Sequence, residues 1–358
     1  MGPAIFSLTS YVRWLLLPLS WLYRAVVAVR NFMYDQKWLR SFEFDFPVIL
    51  VGNLSTGGTG KTPHVLHIAQ QLGKHYRVAV LSRGYKRKTS GYIVATMQST
   101  VADIGDEPVL LKQRVPGLEV AVAENRLEGI AQLLLEEPAP EIIIMDDGFQ
   151  HRKVKAGYNI ILTSYNKTFI EDTLLPAGRL REPVSSLRRA DMIIVSKCPP
   201  DMSKREAAEM RTSLQLMPLH QLFFTSYVYA PMMPLLQDQA VTAVPDYPHC
   251  LVVSGLASND YLADYLKTKY ARVDTIAFRD HHDYRIADLK NIQAALKENT
   301  VLVTTEKDAV KLRAFATTLK ELGLSFFVLP VDVRFLFDGE EKFEEHIHRY
   351  VRDARYII

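Results

Sequence analysis

The segment Gly52-Asn53-Leu54-Ser55-Thr56-Gly57-Gly58-Thr59-Gly60-Lys61-Thr62 ends in a glycine-lysine-threonine run suited to gripping a polyphosphate. Glycines allow successive backbone N–H groups to converge on phosphate oxygens. Lys61 can then reach the β- and γ-phosphates, and the Thr62 hydroxyl can ligate Mg²⁺. Ser55, Thr56, Gly57, Gly58, Thr59, Gly60, Lys61 and Thr62 form the candidate ATP-binding loop. In the pattern G-x-x-x-x-G-K-[ST] the first glycine falls at Ser55, so the loop is irregular at its entry and intact from Gly57. Such a loop works between a strand and a helix. The β-branched run 47–51 reads as a buried strand and 64–72 as a helix, whose N-terminus adds partial positive charge.

A second strand pattern, Ile142-Ile143-Ile144-Met145, runs into Asp146 and Asp147. A carboxylate at the C-terminal end of a parallel strand is where the magnesium shell of such a loop is completed. Either acid suits the position. Adjacent carboxylates repel each other, and a cation beside them removes that cost. A solvated Asp-Asp turn is the plainer alternative.

Further strands at 78–81, 120–122, 159–162 and 192–195 alternate with helical stretches at 106–115 and 125–135. The expected architecture is α/β: a P-loop NTPase-like three-layer domain with a mostly parallel sheet. After about residue 225 the pattern restarts, with strands at 251–254, 273–278, 301–304 and 325–329 and helices at 259–268, 286–298 and 308–319. No second Lys-Thr loop occurs there, so this is a smaller α/β domain rather than a repeat. The expected division is 1–40, 41–225 and 226–358.

The chain has 358 residues, 48% hydrophobic and 23% charged. That composition excludes disorder, collagen and coiled coil. Its mean hydropathy of −0.02 excludes a polytopic membrane protein. Two cysteines, Cys198 and Cys250, make no disulfide framework and suit a reducing compartment. The net charge of +3 is unevenly spread. Arg13, Arg24, Arg30, Lys37 and Arg40 against Asp35 give residues 1–40 a charge of +4 and leave −1 for the rest. The main body is therefore no nucleic-acid binder. All three tryptophans, Trp14, Trp21 and Trp38, share that N-terminal segment.

From Ile5 to Val29 the segment is mostly apolar, broken by Arg13 and Arg24, with Pro18 starting or kinking the helix. No uncharged run reaches the ~18 residues of a simple span. On a helical wheel Arg13, Ser20, Arg24 and Asn31 form one polar stripe beside a wide apolar face. The pattern describes a helix lying in a membrane interface; a core helix with paired arginines is the alternative.

The loop Gly52–Thr62 with Pro63 resembles the signature of the tetraacyldisaccharide 4′-kinase (lipid A 4′-kinase) family. So do Leu81-Ser82-Arg83-Gly84-Tyr85, Gly105-Asp106-Glu107-Pro108, Asp146-Asp147-Gly148-Phe149-Gln150-His151, Leu175-Pro176-Ala177-Gly178-Arg179-Leu180-Arg181-Glu182, Asp280-His281 and Thr305-Glu306-Lys307-Asp308. Seven motifs in order, several without generic counterparts, span residues 52–308. The resemblance implies transfer of the γ-phosphoryl of ATP to the 4′-hydroxyl of an acylated glucosamine disaccharide 1-phosphate. The N-terminal helix then holds the enzyme on the cytoplasmic face of the bacterial inner membrane.

The resemblance also implies roles. Asp106 matches the catalytic base and His281 its partner, although His282 follows immediately and the two could exchange. A sugar hydroxyl is a poor nucleophile at neutral pH, and a carboxylate in reach can take its proton. A histidine on that carboxylate can orient it or pass the proton on. Asp106 precedes a helix, so an N-cap is its structural alternative. Arg83, Arg179 and Arg181, with Gln150 and His151, are the implied substrate contacts, arginine suiting bidentate phosphate binding. Glu182 is a further candidate for the metal shell. Lys307 and Asp308 can close over the nucleotide, or Thr304 or Thr305 can simply cap a helix. The competing class is a membrane-recruited P-loop ATPase switch of the partition type, whose loop also reads G-G-x-G-K-T. That class carries a second lysine before the glycines, where this chain has Thr56.

Overall fold

The computed structural model describes residues 8–355. The start of the apolar N-terminal segment, from Ile5, lies outside the described residues. The chain divides into two compact units. The first holds the residues up to Arg83, Ala123–Ser226 and the residues from Arg334; the second holds Gly84–Val122 and Tyr227–Val333. The contiguous division into 41–225 and 226–358 is therefore corrected. The chain leaves the first unit after Arg83, returns at Ala123, and returns again at Arg334 to end in the helix Gly339–Arg355. Strand and helix periodicity is local, so it cannot report which distant segments share a core.

In the first unit six strands lie side by side and parallel. Their order is Gln221–Tyr229, Met192–Ser196, Tyr158–Ser164, Val48–Asn53, Ile142–Asp146, Val78–Ser82. The central strand Val48–Asn53 is buried along its whole length, as its continuous β-branched run requires. Its register sets Val51 opposite Asp146, and the Asp147 N–H donates to the Val51 carbonyl at 3.0 Å. The Asp-Asp pair is thus fixed beside the strand that feeds the glycine-rich loop. The helix Lys61–Leu72 follows that loop and buries Val65, Leu66, Ile68, Ala69 and Leu72.

The second unit is built on a five-stranded sheet in the order Met233–Pro234, Phe326–Leu329, Thr300–Thr305, His249–Ser254, Arg272–Ala277. Only Met233–Pro234 runs antiparallel. Alternate residues face opposite cores. Leu251, Val253, Leu302, Phe326 and Val328 pack on one side, and Cys250, Val252, Val301, Val303 and Phe327 on the other. A sheet covered on both faces is the α/β arrangement the sequence pattern predicts.

The N-terminal helix runs Leu8–Asp35 through Pro18 and belongs to the first unit. No helix among the described residues is long and apolar enough to cross a membrane.

Candidate functional site

The glycine-rich loop turns into its helix at Gly60, whose φ of 82° lies in the left-handed region that glycine occupies without strain. Asn53, at the strand end, donates from Nδ2 to Thr59 Oγ1 at 2.8 Å. The loop's entry, where the glycine of the usual pattern is replaced by Ser55, is held by a distant segment instead. Thr56 N–H donates to the Arg179 carbonyl at 2.7 Å, and Arg181 N–H donates to the Leu54 carbonyl at 2.7 Å.

Lys61 Nζ lies 3.7 Å from Asp147 Oδ1. Arg181 donates to both oxygens of Asp147, at 2.7 and 3.2 Å, and also to Asn53 Oδ1. Burial opposes the charge on Asp147, but Lys61 and Arg181 outweigh it and hold its pKa down to about 2. Asp146 is buried and accepts from Ser82 Oγ at 3.4 Å. The hard-oxygen set of Thr62 and Asp146 suits Mg²⁺, which takes one or two carboxylates and fills its shell with phosphate and water oxygens. Asp147 is bound to two cations.

Glu182 is corrected as a metal-shell candidate. Its carboxylate is fully buried. It accepts from Arg30, from Asn31 Nδ2 at 2.8 Å and from Ser186 Oγ at 2.9 Å, with Arg189 3.7 Å away. Those donors use both oxygens. The placement of Arg181 on Asp147 likewise turns its guanidinium toward the nucleotide loop rather than outward, and Arg179 pairs with Asp172 at 2.8 Å. Gln150 donates to the Asn53 carbonyl at 2.9 Å. Arg83 is exposed at the end of its strand. Burial, with Arg126, Lys153 and Arg83 nearby, lowers the pKa of His151.

Arg126 is a functional candidate that the sequence reading missed. It is buried, donates to the Ala123 carbonyl at 2.6 Å and to the Asp146 carbonyl at 3.0 Å, and its charge faces Asp146 and Asp147. Burial pushes its pKa down to about 10. One signal was available. Arg126 opens the helix Arg126–Leu133, where a cation meets the positive end of the dipole, so something other than helix stability keeps it there.

The second unit contains a separate cluster. Gly105, at φ 90°, precedes the helix Asp106–Arg114, and a Cβ there would come within 2.9 Å of the Tyr85 carbonyl oxygen. Gly105 occupies the N-cap position, so Asp106 is the first helical residue and not the cap. Its Oδ1 accepts from the Glu107 N–H at 3.0 Å and its Oδ2 lies 2.8 Å from His281 Nδ1. His282 turns away to Asp288 Oδ2 at 2.9 Å and stacks on Phe278. The choice between the two histidines therefore falls on His281 by geometry.

Lys307 Nζ sits 3.1 Å from His281 Nε2 and 3.3–3.4 Å from Asp280 and Glu107. Burial works against the Lys307 ammonium, but Glu107, Asp106 and Asp280 raise its pKa above the usual lysine value. An ammonium only donates, so His281 Nε2 must accept. That leaves the proton on Nδ1, donated to Asp106. In this state both ring nitrogens are engaged, Nδ1 with Asp106 and Nε2 with Lys307, so the histidine can orient the carboxylate but has no free nitrogen to take its proton. Burial also opposes the charge on Asp106, yet the His281 hydrogen bond and the charge of Lys307 hold its pKa below the ordinary carboxylate value. Asp106 is thus ionised and ready to accept.

Asp308 is fully buried; it accepts from the Gly255 N–H at 3.0 Å and from Thr305 Oγ1 at 2.7 Å. Thr305 caps the helix Glu306–Leu312 by accepting from the Asp308 N–H. Asp308 is therefore part of the frame that aims Lys307 and Lys311, and not a lid over nucleotide.

Two expected results follow from this cluster. Replacing Lys307 with methionine removes a positive charge from beside Asp106, so the Asp106 pKa rises. The acid limb of the kcat/KM profile then moves toward neutral pH, read by assaying across pH 4–8. Replacing His281 with alanine is expected to lower kcat by about 10–100-fold if the Asp106 carboxylate it orients acts on the reacting hydroxyl. The same change at His282 leaves kcat within about twofold and is felt in thermal stability.

A profile of the tetraacyldisaccharide-1-P 4′-kinase family matches residues 12–352. The chain is 43% identical over 356 residues to the tetraacyldisaccharide 4′-kinase of Bacteroides thetaiotaomicron, covering 95% of this chain and 93% of that one. It is 38% identical over 345 residues to the protein of the same name from Flavobacterium johnsoniae, covering 96% and 98%. Among solved structures, LpxK from Aquifex aeolicus in complex with ATP aligns with a TM-score of 0.70 at 30% identity, covering 95% of this chain and 99% of that one.

Proposed function

The chain belongs to the tetraacyldisaccharide-1-P 4′-kinase family, and on that premise we propose that Asp106 is its general base and Lys61 its phosphate-stabilising cation. The enzyme transfers the γ-phosphoryl of ATP to the 4′-hydroxyl of a tetraacyl glucosamine disaccharide 1-phosphate, a step of lipid A synthesis. Family membership disfavours the partition-type switch. The observation that best supports the base assignment is the chain Lys307–His281–Asp106, which fixes an ionised carboxylate and a neutral histidine with the proton on Nδ1.

The nucleotide half of the reaction belongs to the first unit. The loop N–H groups, Lys61 and Arg181 neutralise charge that spreads over the transferring oxygens. Thr62 and Asp146 would hold Mg²⁺, which adds neutralising charge on the phosphates. The proton half belongs to the second unit, where Asp106 takes the hydroxyl proton as the new P–O bond develops. The test is transfer to a tetraacylated disaccharide 1-phosphate, with the new phosphate located by mass spectrometry. ATP hydrolysis indifferent to that acceptor would overturn the reading.

The N-terminal helix supports attachment to the membrane surface through its apolar face. Its polar residues face the protein. Ser20 accepts from the Ala177 N–H at 2.9 Å, Tyr23 donates to the Arg181 carbonyl at 3.0 Å, and Arg30 and Asn31 bind Glu182. Arg13 lies 4.0 Å from Asp172. Of the predicted stripe, Ser20 and Asn31 are buried against the protein, while Arg13 and Arg24 stay exposed. Trp14, Leu15, Leu19, Trp21, Leu22, Val26, Val29 and Phe32 are exposed, each by more than half of its surface. A contiguous apolar face of this size on a helix marks an interaction surface, and a bilayer suits a chain whose acceptor is a lipid. We place the enzyme peripherally on the cytoplasmic face of the inner membrane, where ATP and acceptor meet.

Trp21→Glu together with Leu22→Glu should reduce co-sedimentation with phospholipid vesicles at least tenfold, because each substitution sets a charge in the apolar face. Added salt should change binding little, since two of the helix's three arginines, Arg13 and Arg30, pair within the protein. Unchanged sedimentation would remove the anchor from the proposal. Point substitutions are the cleaner test here. Deleting residues 1–40 would also strip the buried Glu182 of Arg30 and Asn31, at a cost of about 3–5 kcal/mol.

A further inference from the structure

Three consecutive carbonyls of the phosphate-binding loop are each held by a side chain from outside it. Lys197 Nζ donates to the Gly58 carbonyl at 2.7 Å. Ser196 Oγ lies 2.7 Å from the Thr59 carbonyl and 3.2 Å from the Thr163 carbonyl. His64 Nδ1 donates to the Gly60 carbonyl at 2.7 Å. Ser196 and Lys197 stand at the end of the strand Met192–Ser196, two places along the sheet from the strand that feeds the loop. His64 lies one turn into the helix that the loop opens.

In a trans peptide the carbonyl and the following N–H point in opposite directions. Holding the carbonyls of Gly58, Thr59 and Gly60 therefore turns the N–H groups of Thr59, Gly60 and Lys61 the other way. The Thr59 N–H closes onto the Gly57 carbonyl at 3.0 Å. Those of Gly60 and Lys61 open the helix N-terminus, where phosphate oxygens are received.

The brace has its own supports. His64 is buried, and its Nε2 lies 2.9 Å from Thr225 Oγ1 on the strand Gln221–Tyr229. Burial lowers the His64 pKa to about 4, with His67 and Lys197 acting in the same direction, so the ring stays neutral and donates from Nδ1 alone. Lys197 sits at φ 59°, a strained region for a residue with a side chain. Strain of this kind persists where the surroundings require it, and here it accompanies an ammonium folded back onto the loop.

We propose that His64, Ser196 and Lys197 are positioning residues of the kinase reaction that preset the loop, so that ATP meets donors already aimed. Preorganisation of this sort acts on nucleotide affinity without contact to the acceptor lipid.

The deciding variant is Lys197→Met, at a partly exposed position, which keeps the aliphatic stem and removes the ammonium. The full-length protein is titrated with Mg·ATP in a calorimeter. The dissociation constant is expected to rise about tenfold, as for loss of one charge-assisted hydrogen bond. The KM for ATP should rise in step while the KM for the lipid acceptor stays within twofold. His64→Leu should weaken ATP in the same direction, and His64→Gln, whose amide can still donate, should recover part of it. Ser196→Ala should do likewise, with Ser196→Thr as its rescue. A merely structural role gives a different result: fewer binding-competent molecules, seen in the stoichiometry, at an unchanged dissociation constant. An ATP dissociation constant within twofold of the parent for Lys197→Met overturns the proposal.

Discussion

Replacing Asp106 with asparagine lowers kcat by about 10²–10⁴-fold and leaves the dissociation constant for ATP within twofold. The substitution keeps the shape of the side chain and its acceptor oxygen for His281, and removes only the charge that takes the proton. ATP affinity is spared because the nucleotide loop belongs to the other compact unit. The measurement is steady-state kinetics with saturating ATP and acceptor, beside calorimetric titration of ATP. A change confined to the acceptor KM would make Asp106 a binding residue and move the base elsewhere. Thermal stability should be measured alongside. Lys311 is buried 3.3 Å from Asp308 and 4.0 Å from Asp106, and it loses one of these two neutralising partners in the variant.

Lys61→Ala is expected to lower phosphoryl transfer by about 10³-fold with the fold intact, the scale for removing one preorganised charge from the transition state. The fold survives because Asp147 keeps both hydrogen bonds from Arg181 when the ammonium is removed. Far-ultraviolet circular dichroism and the melting temperature should be unchanged while transfer to the acceptor is lost. Retained transfer would end the assignment of this loop to the chemistry. The Lys61 and Asp106 variants also differ from each other. Loss of Lys61 weakens nucleotide-dependent steps, whereas loss of Asp106 leaves nucleotide binding and stops the acceptor's proton transfer.

Much of the nucleotide site was legible in the sequence because its signals are contiguous. A β-branched run, glycines, Lys61-Thr62 and a helical pattern each report on their nearest neighbours, and a strand ending in Asp146-Asp147 does the same. What lies beside them is not contiguous. Arg181 reaches Asp147 across 34 positions, and Ser196 reaches the Thr59 carbonyl across 137. The motif around residue 181 marked Arg181 as a phosphate-contacting arginine but not as the partner of Asp147, and nothing local marked Ser196. Glu182 shows the converse error. A carboxylate near a phosphate site suggested a metal ligand, but carboxylates serve equally as buried partners for arginine. Only the packing of Arg30 and Asn31 against it distinguishes the two uses.

By itself, then, the sequence determined the α/β class, the phosphate loop, the strand-end acids and the wide apolar face of the first helix. Each depends on spacing within one element, which the chain carries without reference to the rest. The tertiary structure decided what depends on separation through space. It placed Asp106 in the second unit with Lys307 and His281 rather than in a contiguous first domain. It chose His281 over His282, since adjacent side chains on an irregular segment diverge and only one can reach Asp106. It turned the polar side of the N-terminal helix inward, leaving the tryptophans outward. Those outcomes follow from which surfaces are left after the two sheets have been covered, and that balance is a property of the folded molecule.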